Sequence, residues 1–305
     1  MKKINQTTLF LILTFTISFL LAGIYKLTGG GSQDRTGFMI LGIIYMFIPT
    51  IAVLIVKKLI HREKIASELM ISFKINKWFF VAWLIIPVLA FLTFGISLLF
   101  PDVIYSPDMS GMFSRFESMM TPEQAEQMRA SVKSLPLHPV WITLMQGLIA
   151  GITVNAIAGF GEELGWRGFL LKQFKDMNLI KASILIGFIW GIWHAPMILM
   201  GHNYPDHPVA GVFMMTILCI LLSVIFLYIT IKSKSVIAAA ILHGTMNATN
   251  GISIMLIEGG NDLTVGMPGL AGFIALIIAI AVLFVYDRYI SKEKIFANKM
   301  SKFLS

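Results

Sequence analysis

Val209 to Ile231 reads VAGVFMMTILCILLSVIFLYITI, and no charged residue interrupts it. A run of this length meets the roughly 20 apolar residues that a helix needs to cross a bilayer. Lipid cannot pair with backbone N–H and C=O groups, so the segment must close its own hydrogen bonds as a helix. Comparable runs lie near 7–25, 37–56, 78–100, 140–161, 182–200, 235–257 and 267–286. The fold class that follows is all-α: a polytopic membrane protein of about eight transmembrane helices. The composition agrees, since the 305 residues are 57% hydrophobic and only 13% charged.

The net charge of +8 invites a nucleic-acid reading, but its placement argues otherwise. Of the 24 lysines and arginines, all but Lys26, Arg35, Arg115, Arg129 and Lys133 fall on one set of alternating connections. That asymmetry puts the basic connections, and both termini, in the cytoplasm. The expected location is the plasma membrane, as a multi-pass protein with the bilayer and no nucleic acid as its partner. Lys2 and Lys3 precede the apolar run Leu9 to Ile24 much as in a signal peptide. The run exceeds the usual h-region of roughly 7–15 residues and no small-x-small site follows, so it reads as a retained first span. The single cysteine, Cys219, forms no internal disulfide and lies in the sixth run.

No linker or repeat divides residues 1–305, which read as one transmembrane domain. The one sizeable extramembrane piece is the outer segment 101–139. Within it, Thr121-Pro122-Glu123-Gln124 has the pattern of a helix start, with Thr as N-cap and Gln at N3, running on to about Lys133. Met109, Met112, Met119 and Met120 make the preceding stretch apolar and adaptable. A short helix resting on the bilayer is expected there, with a lid or docking element as the alternative. The basic tail, 287–305, is expected to anchor at anionic lipid.

The chemistry begins at Gly161-Glu162-Glu163-Leu164-Gly165-Trp166-Arg167. Ionisable groups at membrane depth are costly, so they mark a functional site by default. On a helix Glu163 and Arg167 share a face, with Glu162 about 100° away. One carboxylate then pairs with the guanidinium, and the other is left as a usable base. Glycines 159, 161, 165 and 168 permit close backbone approach or a break. His194 lies in Trp190-Gly191-Ile192-Trp193-His194-Ala195-Pro196, roughly 20 Å into the bilayer at 1.5 Å per residue. His243 and Asn247 stand one turn apart, able to donate to one anionic oxygen. Each motif alone also reads as a salt-bridged cap, a satisfied core histidine or an interhelical clasp. Three of them on successive helices point to one polar cavity.

Glu-Glu-x-x-x-Arg, an aromatic-x-x-x-His and His-x-x-x-Asn in this order resemble the CPBP family. That family contains type II CAAX prenyl endopeptidases and the Abi bacteriocin-processing and immunity proteins. The resemblance covers a core of about 140–255. Its second motif usually starts with Phe, where this chain has Trp190. The resemblance implies an intramembrane glutamic endopeptidase with helices around a polar cavity. It implies that Glu162 and His194 activate water, that Glu163 and Arg167 support them, and that His243 and Asn247 stabilise the oxyanion. A base beside water and donors aimed at developing charge are also what amide hydrolysis requires.

The expected substrate is a membrane-tethered or prenylated peptide or protein, reaching a site in the inner half of the membrane from the bilayer or the cytoplasm. No cofactor is expected. Zinc held by Glu162, His194 and His243 is the alternative, although the chain lacks the His-Glu-x-x-His spacing. Cys219 is expected to lie away from the three motifs, which favours water as the attacking group. Two readings without proteolysis stand beside this one: a bacteriocin immunity or scaffold protein, and a proton-coupled transporter. The halves show no repeat symmetry of the transporter kind.

Overall fold

The computed structural model describes residues 5–31, 34–65, 68–117 and 121–304. Lys2, Lys3, Met119 and Met120, named above, lie outside them. Helices α1 (Gln6–Leu27), α2 (Arg35–Ile60) and α3 (Lys77–Ser97) come first. A short strand β1 (Val103–Tyr105) and helices α4 (Ser110–Glu117) and α5 (Pro122–Lys133) follow. Then come α6 (Pro139–Ile152), α7 (Val154–Gln173) and α8 (Leu179–Trp193). After α8 come the single turn α9 (Ala195–Leu199), α10 (Pro208–Ser233), α11 (Val236–Thr249), the turn α12 (Ile252–Met255), strand β2 (Ile257–Gly259) and α13 (Leu270–Tyr289).

Local chemistry starts these helices where the chain leaves lipid. Asn5, Asp34, Asn76, Asn178 and Ser235 each accept a backbone N–H at the first turn of α1, α2, α3, α8 and α11. The expected capping box is present, with Thr121 and Gln124 bonding each other's backbone at the start of α5.

The all-α, polytopic architecture expected from the sequence is present, and among the described residues fewer than eight helices are long and apolar enough to count as spans by length and composition alone. Five helices are long and apolar enough to cross alone, and six if the α6–α7 pair, bent by 52°, counts as one. The segments expected at 182–200 and 235–257 instead form helices of 15 and 14 residues. Pro196 offers no N–H to the carbonyl four residues back, so α8 ends before it. After α11 the chain makes one further turn and then pairs as strand. α11 is largely wrapped by protein, whereas α8 buries one face and exposes Ile180, Ile184 and Phe188 on the other.

Contacts define two ends of the bundle. At the lysine-rich end, Gln6 donates to Glu63 (2.9 Å), the Asn76 amide donates to the Ser233 carbonyl (2.9 Å) and Lys232 pairs with Glu293 (2.6 Å). The tail folds back here, with Ile295 and Met300 fully buried and the Met300 N–H on the Met177 carbonyl. At the other end, β1 and β2 pair antiparallel, Val103 facing Gly259. There the Tyr204 hydroxyl donates to the Pro268 carbonyl (2.8 Å) and His207 meets Asp262 (2.6 Å).

Small residues bring the central helices together. A Cβ on Gly244 of α11 would stand 2.5 Å from the Ala156 nitrogen of α7, and one on Gly159 of α7 would stand 2.9 Å from the Ala240 carbonyl. On the other side, Gly187 and Gly191 of α8 leave no room between α8 and the α10 backbone at Ile220 and Thr216. Large apolar side chains such as Leu20, Ile24, Ile277 and Val282 are exposed on α1 and α13. That is the outer surface expected of helices facing lipid.

Candidate active site

Helix α7 delivers both glutamates at the centre of the bundle, where Glu162 and Glu163 are buried. Gly161 lets α7 approach the α2 backbone, since a Cβ there would meet the Met46 carbonyl at 2.7 Å. Past Glu163 the helix widens into π geometry over Leu164–Leu170, and every residue of that stretch is buried. Such widened turns recur at functional sites.

The two carboxylates have different surroundings. Glu163 Oε1 accepts from Arg167 Nη1 at 3.0 Å and faces His243 Nδ1 at 2.7 Å. The Arg167 guanidinium also donates to the Ser223 hydroxyl (3.1 Å). Its carbon lies 4.2 Å from the Trp190 ring centre and 4.3 Å from that of Phe226. The cation is thus held by a charge, a hydroxyl and two aromatic faces, which suits the planar guanidinium.

Glu162 has no such cation. Its Oε2 accepts from two indoles, Trp190 Nε1 at 2.7 Å and Trp166 Nε1 at 3.3 Å. Its Oε1 stands 3.8 Å from His243 Nε2, a gap that a bridging water fits. The carboxylate is therefore fixed on one side and directed on the other.

His194 sits at the break between α8 and α9. Its Nδ1 lies 2.8 Å from the Trp190 carbonyl, which only accepts, so Nδ1 carries the proton and Nε2 keeps its lone pair. Trp190 therefore touches three parts of the site: its indole N–H holds Glu162, its ring covers Arg167, and its carbonyl sets the His194 tautomer.

Glu162, Trp190, His194, His243 and Asn247 line one cavity of about 450 Å³. The structure thus brings Glu162, His194, His243 and Asn247 to a common space, with Glu163 and Arg167 directly beneath it. Cys219 lines the same cavity, which corrects the expectation that it lies apart. That residue is on α10, whose close packing on α8 at Gly187 and Gly191 turns it inward. Among the described residues, no group of three or more His, Cys, Asp or Glu side chains converges to hold a metal ion.

Residues 138–249, which span this site, match the family model described as type II CAAX prenyl endopeptidase Rce1-like. Over that segment the chain is similar to the CPBP family, to which its three motifs point. A stretch of 49 residues is 43% identical to CAAX prenyl protease 2 of Methanococcus maripaludis. The match covers 16% of this chain and 18% of that protein, so the chain aligns with less than a fifth of this relative's length.

The CPBP motifs named only part of the site. Trp166, Ser223 and Phe226 complete it and were not singled out from the sequence. Trp166 had a readable cue, standing one helical turn beyond Glu162. Ser223 had a weaker one, as a polar residue in the long apolar run of α10. The Phe226 ring has no cue in its own segment, because its partner Arg167 lies on another helix.

Proposed function

We propose that this protein is an intramembrane endopeptidase that hydrolyses a peptide bond with water activated by Glu162 and His194. The observation that carries the reading is the difference between the two sides of Glu162. Two indole N–H groups hold Oε2, while Oε1 is directed to the space shared with His243 and Asn247.

The chemistry balances with the residues at hand. Glu162 takes a proton from water while the His194 Nε2 lone pair orients it. The water oxygen bonds to the peptide carbonyl carbon, and the carbonyl oxygen becomes an oxyanion. His243, as an imidazolium with Nδ1–H on Glu163, donates from Nε2 to that oxygen, and the Asn247 amide supplies a second donor. Collapse of the intermediate breaks the C–N bond, and the proton held by Glu162 passes to the leaving amine. Glu163 and Arg167 are positioning residues, fixing His243 from below.

The membrane concerned is the plasma membrane, and the substrate is a membrane-tethered or prenylated polypeptide. Six methionines, Met39, Met46, Met197, Met215, Met246 and Met267, line the cavity. Their flexible thioethers suit an apolar guest of variable shape. The mechanism calls on no cofactor.

The test is cleavage of prenylated and unprenylated membrane-tethered peptides by the purified protein, alongside Glu162→Gln and Glu162→Ala. The parent should cleave and both variants should not, with membrane insertion unchanged. Cleavage retained in both variants would overturn the mechanism. A second reading, a non-catalytic immunity or scaffold protein, draws on the buried Glu163–Arg167–Ser223 clasp. It requires that biological protection survive Glu162→Gln.

A further inference from the structure

We infer that the cavity receives its substrate from the membrane face opposite the lysine-rich end, the extracytoplasmic side. The inference rests on the protease reading for its substrate, an extended polypeptide segment outside the cytoplasm. It reverses the expectation of a site in the inner half fed from the cytoplasm.

Three observations converge on it. First, the upper lining of the cavity comes from the lysine-poor end. Phe38 and Met39 lie in the first turn of α2, next to its cap Asp34. His202 and Asn203 lie in the loop that Tyr204 ties to Pro268, and Met267 and Pro268 also line the cavity. Phe38 and His202 make a ring contact at this rim, centres 6.2 Å apart. Asn247 and Asn250 follow His243 along α11 in the direction of the two-stranded sheet.

Second, the floor is closed towards the lysine-rich end. Trp166, Arg167, Phe169 and Leu170 of α7 and Phe226 and Leu227 of α10 are each 0% exposed. A polypeptide coming from the cytoplasm would have to displace the Arg167 guanidinium from Glu163, Ser223 and both aromatic rings. Breaking a buried ion pair in this way is strongly unfavourable.

Third, the wall contributed by α2 is thin. Met39 and Ile43 line the cavity and are also 61% and 47% exposed. The cavity therefore adjoins the outer leaflet as well as the mouth. The basic residues fix which side this is: Lys57, Lys172, Lys175, Lys232 and Lys234 all lie at or next to the closed end, which the positive-inside rule assigns to the cytoplasm.

The experiment is thiol labelling of the full-length protein in intact cells, in a Cys219→Ala background, with a membrane-impermeant maleimide. Asn203→Cys probes the mouth, Asn250→Cys the wall and Lys175→Cys the basic face. Asn203→Cys and Asn250→Cys should label in intact cells, and Lys175→Cys only after permeabilisation. Labelling of Asn250→Cys solely after permeabilisation would overturn the inference.

A parallel arm presents the same tethered peptide on either side of the membrane. Cleavage of the extracytoplasmic peptide alone supports the inference, and cleavage of the cytoplasmic one alone overturns it. If the cysteines label from outside and neither peptide is cut, the protease reading fails while the direction of the opening stands.

Discussion

The layer beneath Glu163 and the space above Glu162 are one peptide bond apart and built in opposite ways. Beneath, Arg167 is surrounded by Glu163, Ser223, Trp190 and Phe226, with no accessible surface. Above, a cavity of about 450 Å³ is lined by methionines, three histidines and the amides of Asn203, Asn247 and Asn250. One carboxylate is consumed in neutralising a buried cation. The other is steadied by neutral donors and keeps an oxygen for chemistry. Adjacent identical residues thus sit in opposite surroundings, and the proposed mechanism gives one a structural and the other a reactive role.

Exchanging each glutamate tests this contrast. Glu162→Gln keeps the shape and both indole contacts in reach but removes the base, so peptide cleavage should fall by about 10²–10⁴-fold or more. Its melting temperature in detergent should stay near the parent's. Glu163→Gln should do the reverse first: it leaves Arg167 buried without its counter-charge, at a cost of about 3–5 kcal/mol. Thermal unfolding in detergent reads that loss. Equal destabilisation by the two substitutions would erase the distinction.

Asn247→Ala sharpens the upper half of the comparison. If its amide donates to the oxyanion, kcat should fall by roughly 10²–10³ with KM little changed. A change confined to KM would make Asn247 a wall residue only.

Gly244→Ala probes the wall itself. Its Cβ would meet the α7 backbone at Ala156 and Asn155 within 2.6 Å, and overpacking of this kind costs about 1–3 kcal/mol. Stability and activity should fall together, because His243 is the adjacent residue.

The smallest effect belongs at the basic end. Lys232, with help from Ser291, draws the Glu293 carboxyl down to about 2. Its stabilisation is complete above the ordinary carboxylate range and is lost as pH falls towards that value. The pair is partly exposed, so Glu293→Gln should cost at most about 1 kcal/mol at neutral pH, measurable as a slight fall in melting temperature.

Much of this was legible in the chain. The apolar runs give the helices, the i, i+4 spacing gives the Glu163–Arg167 pair, and Thr121-Pro122 marks the start of α5. The number of long spans was not legible. Hydropathy cannot distinguish a helix bathed in lipid from one such as α11 that is enclosed by its neighbours. The side of Cys219 and the roles of Ser223 and Phe226 were hidden too. They depend on how α10 is rotated against α7 and α8, and small residues on different helices decide that rotation. The indole donors to Glu162 fall between these cases: Trp166 is readable from its own helix, and Trp190 only from the fold.

The pairing of β1 with β2 has a bearing on how the molecule is made. Strand residues 103–105 wait for 257–259, about half the chain later. A growing chain emerges from its N-terminus onward, and contacts this distant in sequence form late. The helix carrying His243 and Asn247 therefore enters the membrane before the clasp at its far end can close. During synthesis the molecule passes through a stage in which every residue of the proposed site is present and the rim around them is still unbuilt.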